Sequence, residues 1–292
     1  MSITPNRPRH QEEAIATQPP PQQPQLTRAE RPATVKVSAI NELGARIETG
    51  IAGEYPLTIY LDKHELVTLM TLGAHPELLV LGFLRNQRLV GGIADIAAVQ
   101  VDWEAEAAAV TTRGGGAPLE HAERRTVTSG CGQGTMFGDL MTHLDAVSLS
   151  ATARLDEQTL FTLLDNIRRR DTLYKQAGAI HGCALADARG EIIFFVEDVG
   201  RHNAVDTIAG AMWRQDMAGD DKIFYTTGRL TSEMVIKTAQ MGIPILISRS
   251  GLTAMGYRIA RQTGMTLIGR AQGRHYLLFS GEERFLGLPP EN

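Results

Sequence analysis

From Gly190 to its end the chain repeats one unit: a short run rich in β-branched and aromatic residues, a polar turn, and an amphipathic stretch. "GEIIFFVEDV" reads as a strand and "NAVDTIAGAMWRQDM" as a helix. "DKIFYTT" with "TSEMVIKTAQM" repeats the unit, as does "IPILISR" with "LTAMGYRIARQTG", and "MTLIGRA" and "HYLLFSG" close the chain as strands. Strands joined through helices by short turns pair side by side when the helices cover the sheet, so the alternation predicts a mostly parallel sheet between helices. In such a sheet, ligands bind beyond the carboxyl ends of the strands.

Those ends carry polar segments: "EDVGRHNA", "TTGRLTSE" and "SRSGLT", each joining a small residue to an arginine just before a helix. A helix N-terminus offers unpaired N–H groups and positive partial charge, which suit phosphate. Arg201 and Arg229 can add bidentate contacts to a phosphate or a guanine-like edge. Candidate ligand contacts are therefore Arg201, His202, Asn203, Gly228, Arg229 and Ser232, and residues 198–203, 228–232 and 248–253 are expected at one sheet edge. Each loop alone has a plainer reading, with Gly200 and Gly228 as turn residues, Thr231 or Ser232 as a cap, and solvated arginines. Three such loops together favour an anionic, nucleotide-like ligand. The net charge of −4 gives no global attraction to nucleic acid or an anionic membrane, so a local site must hold the anion.

Upstream, residues 1–32 are rich in Pro and Gln and bury too little apolar surface to offset ordering entropy, which predicts a disordered tail. Residues 33–150 read as an N-terminal α+β region, with "TVKVSAI" and "YPLTIYL" as strands. "DKHELVTLMTLGAHPELLVLGFLRNQRLV" has apolar residues at helical spacing, broken near Gly73 and Pro76, and "GGIADIAAVQVDWEAEAAAV" reads as a turn and strand pair. The glycine-rich stretch around "SGCGQG" has little periodicity and reads as a long mobile connection. Residues 151–292 form the α/β domain, opening with the amphipathic helix "DEQTLFTLLDNIRRRDTLYKQAG", whose Arg168, Arg169 and Arg170 suit the negative end of a helix dipole. No apolar run is long enough to span a bilayer, no secretory signal opens the chain, and two cysteines make no disulfide framework. These features predict a cytoplasmic protein with reduced thiols and no membrane contact.

Of the two cysteines, Cys183 follows His181 in an H-x-C pattern. The zinc deaminases pair H-x-E with P-C-x-x-C. Neither the glutamate nor the second motif is present, so no metal is expected and Cys183 reads as a small packed residue. Cys131 differs, lying among Gly130, Gly132 and Gly134 with His121, Arg124 and Arg125 just upstream. Glycine lets such a loop swing, and nearby cations favour a thiolate. By context alone Cys131 is either an incidental loop thiol or a nucleophile.

Taken together, "ELLVLGFLRNQRLV", "SGCGQG", "AGAIHGCAL", "EDVGRHNAVD", "GRLTSEMVIKTAQMGIPILISRS" and "GMTLIGRA" resemble the accessory sulfurtransferases of formate dehydrogenases, the FdhD family, from about Val35 to Phe285. The resemblance implies a three-layer cytidine-deaminase-like domain with no structural or catalytic metal. It also implies a homodimeric sulfurtransferase, an enzyme with a cysteine persulfide intermediate. Such proteins take sulfur from a cysteine desulfurase and pass it to the molybdenum of bis-molybdopterin guanine dinucleotide, which formate dehydrogenase needs for activity. Cys131 matches the first cysteine of the family's C-G-x-C loop, while Gly134 stands where many members carry the second. His181 is retained within "AGAIH", which departs from the family's "TGG-x-H". The cofactor-contacting segment of the family maps onto Arg270, Ala271, Gln272, Gly273, Arg274 and His275. The alternative is a non-catalytic chaperone that binds the guanine dinucleotide cofactor without using Cys131.

Overall fold

The computed structural model describes residues 22–115 and 147–287. Its first half holds β1 (Gln25–Leu26), β2 (Thr34–Ile40), β3 (Arg46–Ala52), β4 (Tyr55–Leu61), β5 (His64–Thr71), α1 (Pro76–Asn86), β6 (Ile96–Asp102) and β7 (Ala107–Thr112). Five strands form a mixed sheet in the order β1-β6-β7-β4-β5, and β2 pairs with β3 as a separate two-stranded hairpin. The segment from His64 to Thr71, read above as helix from its spacing, is a strand. Asp62 and Lys63 both take positive φ, 46° and 75°, and turn the chain back antiparallel to β4, as two-residue hairpin turns do. The Thr58 and Thr68 hydroxyls meet at 2.9 Å across the pair. A short apolar run fits either period, and here cross-strand pairing decides. The helix begins at Pro76, in the first turn where a missing N–H costs no hydrogen bond.

The second half runs β8 (Leu155–Asp156), α2 (Glu157–Arg169), α3 (Leu173–Ala177), β9 (His181–Ala186), β10 (Ile192–Asp198), α4 (Arg201–Arg214), β11 (Ile223–Thr226), α5 (Ser232–Gln240), β12 (Ile245–Ser248), α6 (Ala254–Thr263), β13 (Thr266–Gln272), β14 (His275–Ser280) and β15 (Phe285–Leu286). The stretch read as one amphipathic helix ends at Arg169, and Thr172 caps a separate short helix by accepting from the Lys175 amide. Six strands form one sheet in the order β10-β9-β11-β12-β13-β14. β11, β12 and β13 pair in parallel, whereas β9 is antiparallel to both neighbours and β14 to β13. β10 to β13 therefore run one way and β9 and β14 oppose them. The two reversed strands are joined to their neighbours by tight turns, at Asp187–Gly190 and at Gly273, so no helix crosses over there.

Alternate strand residues build two cores. Cys183, Leu185, Phe224, Leu246 and Leu267 pack in one cluster with Val205 and Ile208 of α4, Met234 and Val235 of α5 and Ile259 of α6. Ala184, Tyr225, Ile247 and Ile268 pack in the other with Leu160, Leu163 and Leu164 of α2. The sheet is thus the middle of three layers. Among the described residues, no helix is long and apolar enough to cross a membrane.

The two halves lock through α1 and α4. A Cβ on Gly82 would lie 1.6 Å from the Asp206 carbonyl oxygen, and one on Gly210 would lie 2.0 Å from that of Leu78. The helix backbones touch directly, which only glycine permits. Beside the crossing, the Asn86 amide donates to Asp206 Oδ1 at 2.7 Å. Gly82→Ala is expected to destabilise the protein by about 3 kcal/mol, because backbone cannot yield as a side chain can. Urea denaturation checks this against Gly114→Ala, where a Cβ meets open space and the midpoint should hardly move.

Candidate functional site

β10 ends at Asp198, β11 at Thr226 and β12 at Ser248, while the reversed β9 starts at His181, so four strand termini gather at one sheet edge. Ser248 Oγ donates to the Gly228 carbonyl at 2.6 Å. The Arg249 amide donates to the Thr226 carbonyl, and the Leu230 amide to that of Gly251. The segments 198–203, 228–232 and 248–253 do share this edge, as the alternation requires. Gly228 lies under Arg201: a Cβ there would be 2.7 Å from Arg201 Cδ.

Asp198 anchors the corner. Its buried carboxylate accepts from Thr71 Oγ1 at 2.6 Å and the Leu72 amide at 3.0 Å, both at the end of β5. It also accepts from the Gly200 amide at 2.9 Å and Asn203 Nδ2 at 2.8 Å, at the start of α4. Burial pushes its carboxyl above the usual range, against the pull of those donors. Asn203 Nδ2 also donates to the Met70 carbonyl at 2.7 Å, so this candidate braces the corner from within.

Cationic groups dominate what remains. Burial, and after it Arg201, Arg229 and Arg249, hold the His181 imidazole below its ordinary pKa. Arg249 lies over the Tyr174 ring, 5.6 Å from its centroid. Arg201 is buried, and its Nε has no hydrogen-bond partner among the described residues. His202 is driven down to about 2, by burial first and then by Lys237 and Arg201. Three guanidinium groups thus bear on one imidazole at the strand-end corner, a concentration of positive charge of the kind that attracts anions.

The other candidates are placed less centrally. Ser232 is the first residue of α5, with Thr231 at the cap. The Arg270 amide donates to the Ser250 carbonyl, which sets the start of the 270–275 turn beside the loop after β12. Ala271 is buried, and Gln272 pairs with His275 across Gly273. Arg274 turns onto α2, stacking over Phe161 at 4.5 Å and pairing with Asp165 at 3.8 Å. Cys183 is fully buried and donates to Thr226 Oγ1, and burial pushes its thiol up to about 12, which closes it to nucleophilic chemistry. Cys131 lies outside the described residues. Asp198 and Arg249 were missing from the candidates, although Arg249 also follows a strand end, one residue after β12 where Arg201 and Arg229 stand three residues after theirs. Among the described residues, no three His, Cys, Asp or Glu side chains are grouped to hold a metal ion.

The neutral His202 makes stability pH-dependent. Its folded pKa lies far below the ordinary 6.5, so the unfolded chain binds the extra proton. Its contribution is complete above about 6.5 and is lost as pH falls towards 2, at no more than about 1.4 kcal/mol per pH unit. Urea midpoints at pH 7.5 and 5.0 should fall further for the parent than for His202→Gln. Equal falls would show that His202 is not the group concerned.

The comparisons agree with this architecture. The family model described as FdhD/NarQ family matches residues 52–286. A protein of Listeria innocua named sulfur carrier protein FdhD is 33% identical over 241 residues, covering 82% of this chain and 92% of its own. Its namesake in Geobacillus kaustophilus is 31% identical over 243 residues, covering 82% and 91%. A crystal structure of a formate dehydrogenase accessory protein from Desulfotalea psychrophila superposes with a TM-score of 0.68 at 26% identity, covering 87% of this chain and 98% of that one. With the three-layer fold, the strand-end arginines and a family match over most of its length, this chain belongs to the FdhD/NarQ family.

Proposed function

We propose that this protein is a sulfur carrier that accepts persulfide sulfur from a cysteine desulfurase on Cys131 and hands it to the molybdenum of bis-molybdopterin guanine dinucleotide for formate dehydrogenase. The observation that supports the ligand half is the placement of Arg201, Arg229 and Arg249 just beyond the ends of β10, β11 and β12, the sheet edge where β9 begins at His181. The buried Nε of Arg201 lacks a partner there, and an anionic phosphate is the group that would satisfy it. The cofactor is substrate here. Arg201 and Arg229 would grip its nucleotide end, and the fold keeps Cys183 out of the chemistry.

Sulfur transfer needs one thiol. The Cys131 thiolate attacks the outer sulfur of the donor persulfide, a new S–S bond forms, and the donor cysteine leaves as thiolate. Delivery breaks that bond and returns Cys131 as thiolate, the two electrons that turn the sulfur into sulfide coming from the acceptor or an external thiol. Gly134 removes a neighbouring thiol that would otherwise trap Cys131 as a local disulfide. Cys131→Ala should leave formate dehydrogenase inactive when reconstituted in cells lacking their own accessory protein. Cys183→Ala should retain most activity and lose about 1 kcal/mol of stability. Full activity from Cys131→Ala would refute the carrier role and leave the cofactor-chaperone reading.

The nucleotide half is tested by GDP. It should raise the melting temperature of the parent but not of the Arg201→Ala/Arg229→Ala variant; equal shifts would remove these arginines from the site. An anion that screens the arginines also raises the depressed pKa of His181, so binding takes up a proton and affinity grows as pH falls. The nucleotide's terminal phosphate titrates near 6 in the opposite sense, so the informative quantity is the difference between the parent and His181→Asn. That difference should widen from pH 8 to pH 6, and a constant difference would contradict the coupling.

A further inference from the structure

Behind the corner runs a line of buried ionisable side chains that neither sulfur transfer nor phosphate binding uses. Lys237 of α5 is wholly buried and donates to Asp206 Oδ2 of α4 at 2.8 Å. Asp206 takes the Asn86 amide of α1 on its other oxygen, so both Asp206 oxygens are engaged. One turn back on α5, Glu233 Oε1 lies 3.5 Å from Lys237 Nζ, and its Oε2 lies 3.4 Å from His202 Nδ1. Neither contact has hydrogen-bond geometry, for Glu233 Oε1 and His202 Nδ1 are both buried without a partner among the described residues. The Thr231 hydroxyl and Arg201 Nε share that state. Asn86 Oδ1 is also unpartnered at the α1 end, but four of these atoms gather where the line meets the anion corner.

One lysine serves two carboxylates here, and the remaining countercharge nearby is Arg201, next in sequence to His202. The charged or titratable groups bearing on Glu233 are Arg201, His202 and Asp206 from α4 and Lys237 from α5, while His181 from β9 and Arg229 from the loop before α5 bear on His202. A carboxylate oxygen 3.4 Å from Nδ1 favours by its charge the tautomer that carries the proton on that nitrogen, even without a formed hydrogen bond. It also restrains the first turn of α4, where Arg201 stands.

We propose that Glu233 is a positioning residue that fixes the tautomer and orientation of the His202 ring, and through it the placement of Arg201, from an anchor supplied by Lys237 and Asp206. The inference rests on the anion-binding reading of the corner for its consequence, but not for its own test. Both Glu233 oxygens face protein groups, so its effect on the ligand is indirect. A Glu233→Gln change keeps the shape, removes the charge and leaves Lys237 paired with Asp206.

The test uses the full chain with ¹⁵N-labelled histidine. In Glu233→Gln, the His202 Nδ1 and Nε2 resonances should move as the tautomer balance changes, while the melting temperature stays within a few degrees of the parent. GDP affinity should fall about tenfold, and Glu233→Asp should restore part of both effects. Unchanged His202 resonances in a folded Glu233→Gln protein would overturn the proposal, whatever happens to affinity. If Glu233→Gln does not fold, the shorter carboxylate of Glu233→Asp must by itself shift the His202 resonances, and their constancy would overturn the proposal equally. Should the parent itself bind no GDP, the ligand reading fails, and the ring resonances alone decide the role of Glu233.

Discussion

The four hydrogen bonds to the Asp198 carboxylate are the contact on which the rest of the arrangement depends. Two donors, Thr71 and Leu72, close the last strand of the N-terminal sheet, and two, Gly200 and Asn203, open α4. One buried carboxylate thus sets the end of β5 against the start of the helix that carries Arg201 and His202. Removing one donor would leave a buried acceptor short of a partner, a loss that usually exceeds the gain from making the bond. The corner inherits its rigidity from this side chain.

Around it, the chain gathers like charge. Two arginines follow helix-bearing strand ends, a third follows β12, and their joint effect on His181 is repulsive. Folding supplies only partial relief. Tyr174 faces Arg249, and the Asp198 carboxylate is already engaged by four protein donors. Like charges held close repel one another, a cost that a bound anion would offset.

Much of this was legible in the sequence. The strand–helix alternation after Gly190 placed β10 to β13 and put three arginine-bearing loops at one edge, because strand direction and helix crossover leave little choice. The reversed strand β9 was not legible. "HGCALA" carries no alternation, being buried on both faces, and its role emerges only from pairing with β10 and β11. The strand at His64 to Thr71 imitated a helix for a related reason, since Leu66, Val67 and Leu69 are all buried and a run of buried residues has no period. Asp198 stood only as the end of a strand, for two of its four donors, Thr71 and Leu72, come from 127 and 126 positions away, beyond any local pattern. The turn onto α2 that engages Arg274 depends on Asp165 and Phe161, which are equally remote.

The crossing of α1 over α4 bears on how chains of this family can exchange parts. Helices that meet backbone to backbone at Gly82 and Gly210 accept no side chain from either party. A half taken from a relative would have to bring a glycine to its side of the contact, and Asn86 or an equivalent to meet Asp206. A chimera of two members joined between these helices would therefore fold only if both sides of the contact were kept.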